Sequence, residues 1–244
     1  MNTESAVTAT ADVSAAMDSA NSFSADRSTA IWEMSHPLSK YLDALVAAPG
    51  SARISMSIGE LASAMDYAAG DSSIAVAVSA IKDKDRPGLT AVSLAALWSK
   101  WGRPTCLIDL GSGRRLLTGA VSSTKPDLVE ACRMAKEGTV DGLALMHKQL
   151  PNSAMIAVGS ADVLGLLSTG QLTTLVNALK AKYDRIVFLS PPIHTNFPFL
   201  GLHKCSDRLI LSLRRSKSRG GPVRELAEQA MLLGMRPIDV IWYE

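Results

Sequence analysis

Between residues 72 and 115 the chain passes from a short, continuous apolar run to a longer stretch of helical periodicity and back again. Ile74 to Val78 is apolar and rich in β-branched residues, the mark of a strand buried on both faces of a parallel sheet. Leu89 to Trp101 then sets Val92, Leu94, Ala95, Leu97 and Trp98 at helical spacing. Cys106-Leu107-Ile108 reads as a second buried strand, stopped by Asp109. A strand, a crossover helix and a second strand of this size form a right-handed βαβ unit. The same alternation continues to the end. It predicts helices over Pro126–Lys136 (Pro126 in the first turn, Thr124 as cap), Gln171–Lys182 and Gly221–Gly234. Strands are predicted at Ala154–Val158, Ile186–Leu189, Asp207–Leu213 and Ile238–Trp242. This pattern implies an α/β fold with a doubly wound, mostly parallel sheet.

The first part of the chain follows another rule. Residues 1–30 are rich in Ala, Ser, Thr and Asp with no sustained apolar period, the composition of a disordered tail. Residues 31–244 are expected to form one α/β domain. Its helical lead-in over residues 37–69 consists of a short helix, Pro37–Ala47, broken near Gly50, and a second from Ser57 to about Ala69. Ser57-Ile58-Gly59-Glu60 matches a capping box at the start of that second helix.

Composition narrows the picture only a little. Charged residues at 20% and hydrophobic residues at 47% are ordinary for a soluble α/β protein, and a net charge of +2 argues neither for nor against nucleic acid. Cys106, Cys132 and Cys205 lack paired or metal-type spacing and read as small core residues in a reducing compartment. His36, His147, His194 and His203 are scattered, so no metal is expected. No apolar run approaches the roughly 20 residues of a membrane helix, and the N-terminus lacks the order of a signal peptide.

The loop between the first strand and its helix is the place to look for chemistry. Where such a loop binds nucleotide phosphates, it needs glycines to present backbone N–H groups, then a lysine and a Ser/Thr for charge and magnesium. Here it reads Ala80-Ile81-Lys82-Asp83-Lys84-Asp85-Arg86-Pro87-Gly88-Leu89. Counted back from Ser93-Leu94-Ala95, Pro87 stands at the lysine position and Gly88 at the Ser/Thr position. Pro87 removes a donor, and Asp83 and Asp85 would repel phosphate. The scaffold of a P-loop ATPase is there without its phosphate site.

The stretch resembles the cytoplasmic kinase domain of bacterial tyrosine autokinases, which are grouped with the MinD/ParA-type P-loop ATPases. In that family the second strand ends in an acidic motif. This chain has Ile108-Asp109-Leu110-Gly111-Ser112-Gly113-Arg114-Arg115, with the first aspartate kept and Gly111 at the second. A later family motif appears as Tyr183-Asp184-Arg185-Ile186-Val187-Phe188-Leu189-Ser190-Pro191-Pro192, with Leu189 in place of a metal-associated aspartate. Leu145 to Gly159 and Asp162 to Ser168 resemble two further family segments, the second lying near bound nucleotide in the family. The helix before the first strand carries Glu60, Ser63 and Asp66 at the positions of the family's E-x-x-R-x-x-R ring-assembly motif, so its two arginines are absent, and the tyrosine-rich tail is missing.

The resemblance implies a P-loop NTPase-like fold and a place in exopolysaccharide (holdfast-like adhesins included) synthesis and export. With the motifs degenerate, the expected role is that of a pseudokinase without catalytic residues or a cofactor. It would bind a polysaccharide chain-length regulator or another membrane component of an export complex, or associate with itself. Its place would be the cytoplasm, peripheral to the inner membrane through that partner. The alternatives are a divergent but active MinD/ParA-like ATPase and a DNA-associated partitioning protein, although no nucleic acid is expected.

Several side-chain groups carry these readings. Lys82, Lys84, Arg86, Pro87, Gly88, Asp109, Arg114 and Leu189 mark the vestigial nucleotide site. The Lys82–Arg86 charges read first as a solvated loop whose charges satisfy one another, and second as an anion site at a helix N-terminus. Asp109 reads first as a loop-closing or capping residue, and second as a remnant of chemistry. Arg214, Arg215, Lys217 and Arg219 form the densest basic run and are the candidate partner-binding face; a plain solvated loop is the other reading. Pro191-Pro192 reads as a strand terminator.

Overall fold

A computed structural model of the chain describes residues 51–82, 85–111, 127–140, 145–147, 150–159, 161–193, 199–214, 220–232 and 238–243. The predicted tail and the Pro37–Ala47 helix lie outside them.

Seven strands form one sheet. They are β1 (Ile74–Ala80), β2 (Thr105–Asp109), β3 (Leu145–His147), β4 (Leu150–Ile156), β5 (Arg185–Leu189), β6 (Arg208–Arg214) and β7 (Asp239–Tyr243), in the spatial order β3-β4-β2-β5-β1-β6-β7. All neighbours pair in parallel except β3, which runs antiparallel to β4 at one edge. The doubly wound, mostly parallel expectation is met. The β3–β4 hairpin is new: its strand Leu145–His147 is too short to show a period. β4 also begins earlier than predicted, at Leu150, and ends before Ala157. It carries Asn152 in the left-handed region, at φ 58°.

The strand alternation assigns the two faces. Ala75, Ala77, Cys106, Ile108, Ile186, Phe188, Leu209 and Leu211 pack with three helices, α3 (Leu128–Lys136), α4 (Val163–Ser168) and α5 (Gln171–Lys180), and with a 3-10 turn at Phe199–Lys204. Ile74, Val76, Val78, Leu107, Val187, Leu189 and Ile210 face the other way, against α1 (Ser51–Ala69) and α2 (Pro87–Lys100). A last helix, α6 (Gly220–Leu232), follows β6. Helix α2 is buried almost all round because it packs on β1, β2, β4 and β5, while α1 covers its outer side. Trp98 Nε1 donates to the Ala62 carbonyl across that helix pair, 3.2 Å away. The three cysteines are buried free thiols; burial pushes Cys205 up to about 12, and burial with the Asp127 charge pushes Cys132 up to about 11.

Two helix starts differ from the sequence reading. The α1 helix begins by Ser51, so Ser57 lies inside it and not at its start. No proline or run of β-branched residues interrupts 51–57, and burial of Ile58, Ala62 and Met65 at helical spacing holds the later turns through Gly59. Helix α3 begins at Leu128, and its cap is Asp127, whose Oδ1 accepts the Glu130 N–H at 3.0 Å. Thr124 and Pro126 lie outside the described residues.

The amino ends of the strands are fastened by one buried cation. Arg185, the first residue of β5, is 0% exposed. It bonds through Nε (2.9 Å) and Nη2 to Asp66 on α1, and through Nη1 to the carbonyls of Ser72 (3.0 Å) and Asp184 (2.8 Å). Arg103 reaches the same aspartate at 3.3 Å. Burial alone would raise the Asp66 carboxyl, but hydrogen bonds and charge from Arg185 and Arg103 outweigh it and hold Asp66 below its ordinary 3.8.

Breaking such a pair strands a buried charge, so Asp66→Ala is expected to destabilise the fold by about 3 kcal/mol in urea unfolding. A carboxyl whose folded value is depressed contributes stability in full above its unfolded value and loses it as pH falls through the folded one. The midpoint difference between the wild type and Asp66→Asn should therefore be constant above the ordinary 3.8 and shrink below it.

Candidate functional site

The carboxyl edge of the central strands is where open α/β sheets bind ligands, and two of the expected site positions meet there. β2 ends at Asp109 and β5 at Leu189, and the two are direct register partners. The Leu110 N–H donates to the Leu189 carbonyl at 2.9 Å, so the pair is tied through the backbone. β1 lies on the other side of β5. The Ser190 N–H donates to the Val78 carbonyl (2.9 Å), and Ser79 Oγ donates to the Pro191 carbonyl (2.7 Å). These bonds bring the turn after β5 back over β1. Pro191 comes just after the strand's end, with Ser190 between them.

Asp109 is 0% exposed, and its Oδ1 accepts the N–H of Gly111 at 2.9 Å. Gly111 has φ 87°, a backbone region glycine enters readily. This is the loop-closing role anticipated for Asp109. Leu189 is fully buried in the apolar cluster with Val76 and Val78, where it supplies no oxygen.

The loop that leaves β1 departs from the first reading of its charges. Lys82 and Arg86 are exposed, but Asp85 is 1% exposed and belongs to the interior. Its Oδ2 accepts the Lys82 N–H at 3.0 Å. The expected picture of a solvated loop is thus corrected at Asp85: it is buried, and a carboxylate this deep must be hydrogen-bonded, here to a backbone donor among its partners. Pro87 and Gly88 are buried in the first turn of α2, with Pro87 at a position where a missing N–H costs nothing. Arg86 precedes them at φ 46°, ψ 52° with no side-chain cap bond. By the count that puts Pro87 at the lysine position, Arg86 stands where a phosphate loop has glycine. The left-handed turn is kept although the glycine is not.

Sequence reasoning missed the polar groups beneath the loop. Ser212 on β6 donates to the Asp85 carbonyl at 2.8 Å and shares a 3.0 Å hydrogen bond with Thr90 Oγ1 on α2. Both are buried. The only available signal was one serine inside the apolar strand Arg208–Arg214.

Arg214 ends β6, half-buried, and its Nε is enclosed without a hydrogen-bond partner. It is less accessible than a solvated basic run would have it. Lys84, Arg114, Arg215, Lys217 and Arg219 lie outside the described residues. Among the described residues no cluster of His, Cys, Asp and Glu could hold a metal ion. Tested as a seat for a magnesium-bound triphosphate, the edge does not fit. Leu189 offers no ligand, Gly88 no hydroxyl and Pro87 no cation, while Asp109 accepts from the backbone of its own loop.

The fold is that of bacterial tyrosine-kinase domains and ParA-type ATPases. The kinase domain of VpsO superposes with a TM-score of 0.67 at 19% identity, over 85% of this chain and 98% of that one. The kinase domain of the Escherichia coli tyrosine kinase ETK gives 0.66 at 14% identity, over 92% of each. A ParA family ATPase from Chlorobium tepidum gives 0.52 at 12% identity, over 70% of this chain and 74% of that one. No family model matches the sequence, and a search of curated proteins gives no match.

The left-handed Arg86 supplies a direct check on the loop. A side chain there costs roughly 1 kcal/mol that glycine would not incur, partly offset by glycine's freer unfolded state. Arg86→Gly is expected to leave stability unchanged or raise it by up to about 1 kcal/mol, whereas Arg86→Val should lower it by about 1 kcal/mol or more in the same urea titration.

Proposed function

We propose that this chain is a kinase-like, non-catalytic cytoplasmic component of polysaccharide export that acts by binding a partner. The fold likeness to tyrosine-kinase domains supports the kinase-like frame. The observation that carries the non-catalytic part is the composition of the sheet's carboxyl edge. Arg86, Pro87, Gly88 and Leu189 stand where phosphoryl-transfer chemistry of this type uses glycine, lysine, a hydroxyl and a carboxylate. Phosphoryl transfer depends on positioning and on neutralising phosphate charge, and all of these groups serve one or the other. One loss could be offset by Lys82, whose side chain is exposed beside the loop. Loss of the cation, the hydroxyl and a carboxylate from a single site leaves nothing to hold magnesium.

The partner would be the cytoplasmic part of a chain-length regulator or another membrane component of the export complex, with a holdfast-like polymer among its products. No helix of the described residues is long and apolar enough to cross a membrane, so attachment to the inner membrane would run through that partner. Arg214 ends β6 at the same edge of the sheet, and the basic run that begins with it in the sequence is the face we assign to that partner.

Incubation with labelled ATP and magnesium is expected to give no phosphate release above a no-protein blank and no labelled tyrosine. Turnover abolished by Asp109→Asn would overturn the non-catalytic reading in favour of a divergent MinD/ParA-like ATPase.

Charge reversal at Arg214, Arg215, Lys217 and Arg219 together should weaken binding to the cytoplasmic segment of the regulator by about tenfold or more at low salt, with less effect at high salt. An unchanged affinity at low salt would remove this face.

A further inference from the structure

The loop from Ile81 to Arg86 is bonded to its own side chain and to two elements beside it. Asp85 Oδ2 accepts the Lys82 N–H at 3.0 Å, and the Asp85 N–H returns to the Lys82 carbonyl at 2.9 Å. The pairing resembles a capping box, with a carboxylate reaching back three residues to a backbone donor. What sets it apart is depth, since Asp85 is 1% exposed. Outside this ring, Ser212 on β6 holds the Asp85 carbonyl at 2.8 Å, and Thr90 on α2 holds Ser212 at 3.0 Å. Strand, loop and helix are therefore joined through one chain of buried hydrogen bonds. A phosphate loop works by aiming backbone N–H groups at an oxyanion that arrives from solution. In this loop a backbone N–H is already given to an oxyanion that the chain itself provides.

We infer that Asp85 is an internal anion that latches the Lys82 N–H away from phosphate, so that the Lys82–Asp85 pairing and its bond to β6 stay the same whether or not nucleotide is present. The inference rests on the non-catalytic reading and deepens it. The missing lysine and hydroxyl explain why phosphate would be poorly held; the latch explains why the Lys82 N–H needs no phosphate as an acceptor. It also bears on regulation. β6 continues into Arg214 and the basic run, so the face assigned to the partner hangs from a strand that the latch holds. Partner binding then does not respond to nucleotide.

The test is amide hydrogen exchange followed by NMR on the full chain, with and without ATP and magnesium. The Lys82 amide is expected to exchange slowly in the wild type and at the same rate when ATP and magnesium are added. Asp85→Ala removes the acceptor and should speed that amide by about tenfold or more, since a hydrogen bond to a charged group is lost. The amides of Val76 and Val187 should keep their rates, which shows that the sheet is intact. Ser212→Ala leaves the carboxylate in place and should speed the Lys82 amide by a smaller factor, so the latch can be judged even if Asp85→Ala does not fold. Fast exchange at Lys82 in the wild type, a rate unmoved by both variants, or a rate changed by ATP and magnesium would overturn the latch. Calorimetric binding of ATP and magnesium with the Lys82 rate unchanged would count against the proposed function and leave the latch standing.

Discussion

Strand β1 has a hydrogen-bonded neighbour on each edge and an apolar layer on each face, and the rest of the molecule is arranged around that enclosure. All seven of its residues are buried. Such a strand has no solvent to fall back on, so every backbone group and every polar side chain at its ends needs a partner in the protein. At the amino end the Asp207 carboxylate takes the Ala75 N–H at 2.8 Å and also meets Lys180 Nζ at 2.8 Å. At the carboxyl end Ser79 donates to the turn after β5. The loop that follows cannot hang free, because it must leave the middle of a sheet and enter α2, a helix buried on nearly every side.

That requirement is met by groups of the chain itself. The Asp85 carboxylate accepts the Lys82 N–H, the Ser212 hydroxyl donates to the Asp85 carbonyl, and Thr90 shares a hydrogen bond with Ser212, so β6 and α2 are both joined to the residue that precedes Arg86. The left-handed turn at Arg86 persists for the same reason: the path from β1 into α2 is dictated by where the strand ends and where the helix packs. Asp109 has followed a parallel course. A carboxylate at the ligand edge of the sheet, deprived of an acidic neighbour by Leu189, closes its own loop through Gly111.

The opposite end of the sheet concentrates charge for a structural purpose. Arg185 is buried at the start of a central strand, a costly place for a cation, and it is tolerated because Asp66 and several carbonyls converge on it. Through Asp66 it anchors α1, so the helical lead-in is held to the sheet by electrostatics as well as by Ile58, Ala62 and Met65. The Asp66 carboxylate is thus given to an internal ion pair.

The sequence by itself determined the layer architecture. Continuous apolar strands separated by helical periodicities can be satisfied only by a parallel sheet covered on both faces, and this reading located six of the seven strands to within a few residues. It also determined which chemical groups are missing at the ligand edge, because Pro87, Gly88 and Leu189 are identities rather than conformations. Tertiary structure decided the rest. The antiparallel strand Leu145–His147 is too short for any period to register, and exists because β4 offers it an edge. The helix α1 runs through an apparent capping box, because one local signal does not stop a helix whose later turns are held by buried Ile58, Ala62 and Met65. Asp85 is the clearest case. Among Lys82, Asp83, Lys84 and Arg86 it reads as one more solvated charge, and nothing local distinguishes it. Its carboxylate finds the Lys82 N–H nearby, but its burial and the bond to its carbonyl come from Ser212, far along the chain, and from the close approach of β6 and α2, which only the folded sheet brings about.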